Sequence, residues 1–472
     1  MSEVPNPVLS LDNFEENLTG SFAPGFAAVD DYIDQHLAAW LPGSSGENLS
    51  QLLSGAGFTT QQWGEATFAK SAESSGGQAL LIYLPDTSEI NSLKAALLAV
   101  SAWQTQLPAT LKVLAGPVDA ALLEAHAADL AANAIIYDHG EYFEGLPMFS
   151  LGLKGLLEVE LRVRTLTHSA PSAYAEIMPA ASWTIIRAMD SIKSDSQEVK
   201  IENFEEDLEP LPYEEIRYLL DTASQHAGRL VRRREKYGLK GYIFDLKDSL
   251  VLQTEYLVPT VNISAIECGT MGPSGHLKLP STARAQLDFH LVPGQHPERI
   301  FEHLYAHLTE RDFEGLEVIQ LPGAQLPART PMAHPFVQSA LQAAQEVAGI
   351  APLLAPISSS SGPLAMLKAI SGDAPAICAG FGEEVPDEKT FGTHTRIIAR
   401  LLAVAAELQP QEEAPDLPEP VSFEENPAII TSEEFLVFEL PPEVEEINGL
   451  AEVPPVAPAA KPKRRTRRSK KH

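Results

Sequence analysis

Apolar residues recur at helical spacing from Phe26 to Trp40, at Val29, Tyr32, Ile33, Leu37 and Trp40. That period predicts a helix, and residues 1–55 read as helix, loop and helix. The pattern changes at residue 78. Gln78–Tyr83 is a short apolar strand, Asn91–Trp103 an apolar helix and Leu111–Leu114 a second strand. Asp119–Ala132 then reads as a helix and Ala134–Tyr137 as a third strand. Strands alternating with helices of this length imply βαβ units and a parallel sheet.

Near Leu157 the period changes to two. Glu158–Arg164 and Arg284–Leu291 alternate as half-exposed strands do, with predicted helices at Ser182–Lys193 and Pro297–Thr309 and a strand at Leu316–Gln320. This pattern predicts an α+β sandwich with one solvated sheet face. The alternation of helices with apolar strands returns with an amphipathic helix at Pro335–Val347, a strand at Ala376–Ala379 and a closing helix at Thr395–Leu408. The expected fold is α/β: a parallel or mixed sheet lobe split in sequence by an α+β lid. The expected boundaries are 1–156 (with 1–60 a helical lead-in) and 326–409 for the two parts of the lobe, and 157–325 for the lid.

Residues 410–472 differ. Twelve acidic residues lie between Glu412 and Glu446, and eight Lys or Arg between Lys461 and Lys471. This reads as a disordered acidic linker with a basic tail, suited to weak contact with nucleic acid or an acidic surface, or to folding back on the linker. The hydrophobic patch Phe435–Phe438 reads either as a docking segment or as residual stickiness. The net charge of −30 argues against a general nucleic-acid surface. Two cysteines, Cys268 and Cys378, make no disulfide framework and read as small core residues. No run of 18 apolar residues and no signal-peptide pattern occurs, so a cytoplasmic protein is expected.

The run Pro259-Thr-Val-Asn-Ile-Ser-Ala-Ile266, followed by Leu279-Pro280, Ala283, Ala285 and His290-Leu-Val-Pro-Gly-Gln295, resembles one family. It is the dinuclear-zinc metallopeptidases of aminoacylase, carnosinase, carboxypeptidase G and desuccinylase type. The match extends to Gly152–Glu160, Thr167-His-Ser169 and Ala379-Gly-Phe-Gly382. The resemblance implies a bilobal, zinc-dependent amide hydrolase whose lid commonly dimerises. In that chemistry two ions roughly 3.5 Å apart activate a water, held by His and carboxylate ligands, while a Glu takes the proton.

Position by position, that chemistry fades. The first metal His falls on Pro85, its orienting Asp on Thr87, and the segment with the bridging Asp is missing, leaving Glu89 as the nearby carboxylate. The general base falls on Pro117 and its neighbouring ligand on Val118. Asp119 reads as a helix N-cap. Asp138 keeps a carboxylate after the third strand. The last metal His falls on Phe391 and a Glu on Thr395, with His394 expected at the surface. Among lid and substrate-like positions, His168 matches the lid His, Asn262 lies in the lid run, His290 replaces an Arg and Ser361 keeps a Ser. Stable zinc sites need three or more protein ligands, so no cofactor is expected, with zinc the alternative. Apolar residues at ligand positions suggest a pocket that has been filled in.

The Ser358–Ser361 run lacks the pattern of a nucleophile elbow, and no phosphate-binding Gly loop occurs. Arg229–Lys236 reads as a basic helix with a solvated face, or else as a partner-binding one. Three functions remain. The first is a homodimeric, non-catalytic relative that binds a small-molecule or protein ligand. The second is an active hydrolase with an altered site drawing on Asp86, Asp138, His139 or His394. The third makes the basic tail the working part.

Overall fold

The structure, a computed structural model, describes residues 23–41, 49–86, 90–103, 107–272, 277–382 and 385–408. The linker and basic tail, Thr87 and Glu89 lie outside the described residues.

The first lobe is built on a nine-stranded mixed sheet. Its leading part comprises β1 (Thr59–Trp63), β2 (Ala66–Lys70), β3 (Ala79–Leu84), β4 (Thr110–Ala115), β5 (Ala134–Tyr137), β6 (Glu141–Phe143) and β7 (Leu146–Ser150). The helices α1 (Ala23–Trp40), α2 (Leu49–Gly55), α3 (Asn91–Trp103), α4 (Ala120–Ala125) and α5 (Ala127–Leu130) connect and cover it. The lid follows with β8 (Gly152–Arg164), β9 (Ala170–Pro171), α6 (Ala181–Ile192), α7 (Tyr213–Asp221), α8 (Ala227–Lys236) and α9 (Asp248–Leu257). It continues with β10 (Thr260–Cys268), β11 (Lys278–Leu279), β12 (Thr282–Leu291), α10 (Pro297–Thr309) and β13 (Leu316–Gln320). The chain then returns to the first lobe through β14 (Ala328–Arg329), α11 (Pro335–Ala348), β15 (Leu353–Ala355), β16 (Ser358–Ser361), α12 (Leu364–Ile370), β17 (Ala376–Cys378) and α13 (Glu388–Glu407).

The large sheet runs β1-β2-β4-β3-β5-β17-β7-β15. Its centre, β4-β3-β5-β17, is parallel. Both faces of these strands are covered, which is why β3 and β4 are buried at every position and β3 reads as a continuous apolar run. One face packs on α1, α3, α11 and α13, the other on the short helices α4, α5 and α12. The lid sheet runs β10-β12-β8-β13. Its inner face buries Leu157, Val159, Leu161 and Val163 opposite Ala283, Ala285, Leu287 and Phe289, under α6 and α10. The period-two reading of β8 and β12 describes this face.

Several sequence expectations need correction. The hairpin of β1 and β2 and the strands β6 and β7 carry no clear period, and the sequence pattern misses them. The single helix expected over 119–132 breaks at His126, whose ring stacks on Trp63 at 3.8 Å. The closing helix starts at Glu388 rather than Thr395, because Asp387 caps it by accepting the Thr390 N–H at 2.7 Å. Cys378 is a core residue, but Cys268 is only half-buried at the end of β10.

The junction between lobe and lid is tight. Gly152 begins β8 against β14, and a Cβ there would run into the Ala328 carbonyl and the Arg329 backbone. Gly152→Ala is therefore expected to destabilise the protein by about 1–3 kcal/mol, since backbone must move to admit the methyl group. Chemical denaturation checks this; an unchanged midpoint would mean that the two strands separate freely.

Candidate functional site

In an open sheet of this kind, ligands bind outside the carboxyl ends of the parallel strands, where the strand order reverses. Here that edge is made by Pro85 after β3, Gly116-Pro117-Val118 after β4, Asp138-His139-Gly140 after β5 and Ala379 to Gly382 after β17. Pro85 and Pro117 are exposed. Val118 is half-buried and packs on the face carrying α4 and α12. Phe391 is fully buried on the opposite face, stacked on Phe381 with ring centroids 6.0 Å apart. Val118 and Phe391 thus join different cores, and the expectation of one pocket plugged by both is corrected.

Asp138 is held at the strand edge. Its Oδ1 accepts a hydrogen bond from Ser92 Oγ at 2.7 Å, and its carboxylate fills the space beside Gly380 that a side chain there would need. A Cβ on Gly140 would strike the backbone of Ala379 and Gly380, so the loops after β5 and β17 meet backbone to backbone. Asp119 caps α4, accepting the Leu122 N–H at 2.8 Å.

His394 is not at the surface. It is 1% exposed, its Nδ1 lies 3.1 Å from the Tyr142 hydroxyl, and its ring packs on Phe381 at 4.4 Å. Burial pushes its pKa down to about 3, so it is neutral at pH 7. Thr395, also buried, turns its hydroxyl back to the Phe391 carbonyl at 2.9 Å. The early start of α13 explains both, because a helical 391–395 places these side chains inward. Among the described residues, no three His, Cys, Asp or Glu side chains stand together so as to hold a metal ion.

Three of the four lid and substrate-like residues come together. Asn262 Nδ2 donates to Asp288 at 3.1 Å, Asp288 faces His290 Nε2 at 3.5 Å, and His290 Nδ1 lies 3.3 Å from Ser361 Oγ. Burial lowers the pKa of His290, and the Asp288 carboxylate opposes that shift. His168 sits apart, exposed in the bend after β8.

Beside this network a cleft of about 370 Å³ lies between the end of β5, the Ser358–Ser360 run and α8. His139 Nε2 is 2.9 Å from Ser358 Oγ, which also accepts the Ser360 N–H at 3.2 Å. Burial lowers the His139 pKa. Across the cleft, Arg229 pairs with Glu141 and also approaches Glu255 at 3.7 Å, while Arg233 grips Glu255 with both terminal nitrogens, at 2.6 and 2.9 Å. Arg232 lies over the Phe143 ring at 5.2 Å. The solvated face expected for 229–236 is thus in part a cleft wall. The basic run is visible in the sequence, but no long-range signal there places it over β6.

Comparison with known proteins bears out the resemblance read from the sequence. Residues 151–315 match the peptidase dimerisation domain. Among solved structures, the chain is similar to an M20 family metallo-carboxypeptidase from Sulfolobus solfataricus, with 24% identity and a TM-score of 0.66, covering 78% of this chain and 99% of that one. It is also similar to the di-peptidase Dug1p from Saccharomyces cerevisiae, with 13% identity and a TM-score of 0.65, covering 81% and 98%. Human carnosine dipeptidase 1 gives 16% identity and a TM-score of 0.61, covering 81% and 99%. No curated protein matches the sequence. The chain has the M20-type metallopeptidase fold, and its lid is similar to the peptidase dimerisation domain.

The expectation of no cofactor is corrected by these likenesses, because a metallo-carboxypeptidase shares the fold and a metal is what the fold implies. The described residues at the strand edge do not fit a zinc pair. Pro85, Pro117, Val118 and Phe391 offer no donor atom, and His394 is committed to Tyr142 in the core. Among the described residues no helix is long and apolar enough to cross a membrane.

Proposed function

We propose that this chain is a non-hydrolytic relative of the M20-type peptidases that keeps the bilobal body for binding or scaffolding and self-associates through the lid. The observation that carries this reading is the side-chain set at the carboxyl edge of the sheet, where Pro85, Pro117 and Val118 offer no side-chain donor atom and Asp138 is tied to Ser92. General-base catalysis and metal activation of water each need groups that these positions lack. The alternative, an altered hydrolytic site drawing on Asp86, Asp138, His139 or His394, is weakened by the burial of His394 against Tyr142 and Phe381 and by the bond of Asp138 to Ser92.

Self-association is supported by the lid surface. β10 is an edge strand, exposed on both faces from Asn262 to Glu267. Ile263 and Ile266 on it, and Trp183 and Ile186 on α6, are exposed apolar residues. Lys193 Nζ donates to the Val261 carbonyl at 3.2 Å, which ties the end of α6 to the start of β10 and makes one continuous face. An open strand edge beside apolar side chains is a pairing surface, and a two-fold dimer covers both copies at once.

Incubating the full chain with a mixture of dipeptides and N-acyl amino acids and added Zn²⁺ should leave every compound intact by mass spectrometry. Chelator-sensitive cleavage of any of them would overturn the reading.

A further inference from the structure

We infer that a cavity at the amino ends of the parallel strands binds a small molecule carrying one oxyanion group, a carboxylate or a phosphate, on a compact, partly apolar body. The cavity measures about 520 Å³, within the range of small-molecule sites. Ala79 of β3 and Thr110 of β4 line it, with Asn133 just before β5 and Pro375 just before β17. It lies at the opposite end of the sheet from the edge that holds Asp138, so it stands apart from the question of hydrolysis.

The charge in this cavity is Lys112, on β4 and only 8% exposed. Its Nζ donates to the Ala131 carbonyl at 2.7 Å. An ammonium has three N–H donors, so two remain, and the acceptor already used is neutral. Among the described residues no carboxylate pairs with it. Burial lowers its pKa and Lys70 adds to the shift, while Asp129 and Glu73 oppose it. This is the state of a buried ammonium short of a counter-ion, which a bound anion would supply. Lys70, by contrast, is already paired with Glu73 at 2.7 Å. The other open polar groups are donors as well. Asn133 spends its Oδ1 on the Ala79 N–H at 2.9 Å, which leaves its amide N–H groups. His334 Nδ1 accepts the Phe336 N–H at 3.1 Å, and burial lowers the pKa of the ring, so the neutral imidazole carries its proton on Nε2. Ser371 Oγ accepts the Ala132 N–H at 3.2 Å and keeps its hydroxyl proton. No acceptor among the described residues takes these donors. Spare donors beside one ammonium without a counter-ion match an oxyanion, not a neutral or cationic group. Ile370, Pro375 and Leu408 supply an apolar wall for the rest of the ligand.

Calorimetric titration of the full chain with benzoate, phenyl phosphate and neutral benzamide tests this. One site per chain is expected to hold benzoate or phenyl phosphate roughly ten times as tightly as benzamide, or better. Benzoate alone marks a carboxylate site, and phenyl phosphate alone a phosphoryl site. Lys112→Met keeps an unbranched apolar stem without the ammonium and should weaken that binding roughly tenfold or more. Should Lys112→Met fail to fold by circular dichroism, His334→Asn decides, because it keeps a cap for the Phe336 N–H and removes only the Nε2 donor. It should weaken binding about threefold or more. The basic run 461–471 is unchanged in both variants, so binding there persists and would be recognised. Binding no tighter than benzamide overturns the inference. So does full retention in folded Lys112→Met or, where that variant does not fold, in His334→Asn.

Discussion

Phe391→Ala is expected to lower the unfolding free energy by about 3–5 kcal/mol, the range for emptying an aromatic core site. The ring has no exposed surface, stacks on Phe381 and belongs to the core that also holds Leu37, Leu98 and Ile398. The family resemblance places a metal His at this position. Truncating a ligand in an open site would chiefly remove activity, whereas truncating a core ring removes packing. Urea unfolding followed by circular dichroism reads the difference. A change below about 1 kcal/mol would mean that the ring faces the cleft after all. Val118→Ala is the internal contrast, because Val118 is only half-buried and a smaller loss is expected.

The second large effect concerns assembly. Ile263→Lys combined with Trp183→Glu should raise the dimer dissociation constant at least a hundredfold, which corresponds to about 2.7 kcal/mol. Both side chains are exposed in the single chain, Trp183 at 58% and Ile263 at 43%, so neither change disturbs the lid core. Each change also puts a charge into a surface that dimerisation would bury, which costs desolvation. Sedimentation velocity across a concentration series gives the constant. An unchanged dimer would place self-association elsewhere, and a wild-type monomer at high concentration would remove it altogether.

Much of the fold was legible because burial imprints a period. Asn91–Trp103, Ala134–Tyr137, Pro297–Thr309 and Leu316–Gln320 have the same limits in the sequence pattern and in the structure. What could not be read were elements fixed by distant contacts. β1 and β2 mix polar residues with a few apolar ones, and their pairing with each other and with β4 creates their order. The site was legible as a set of positions but not as a geometry. Starting the closing helix at Thr395 leaves 388–394 outside it, which hides the cap at Asp387 and sets His394 at the surface. Reading Asp387 first as a cap turns 391–395 into helix and His394 inward. Nothing local signals that Arg229 meets Glu141, 88 residues away.

The inward turn of α13 is the point on which the rest depends, and His394 reports it directly. Its folded pKa, about 3, is below the ordinary 6.5. Between those values the unfolded chain binds a proton that the folded chain refuses. His394 therefore favours folding fully above about pH 6.5, and that contribution is lost as pH falls, by up to about 1.4 kcal/mol per unit. The deciding measurement is a histidine NMR titration, with the His394 signal assigned by its loss in His394→Asn. A signal flat from about pH 8 to 5 and unmoved by added Zn²⁺ is expected. A midpoint near the ordinary value of about 6.5, or a zinc-induced shift, would contradict it and return the residue to the cleft.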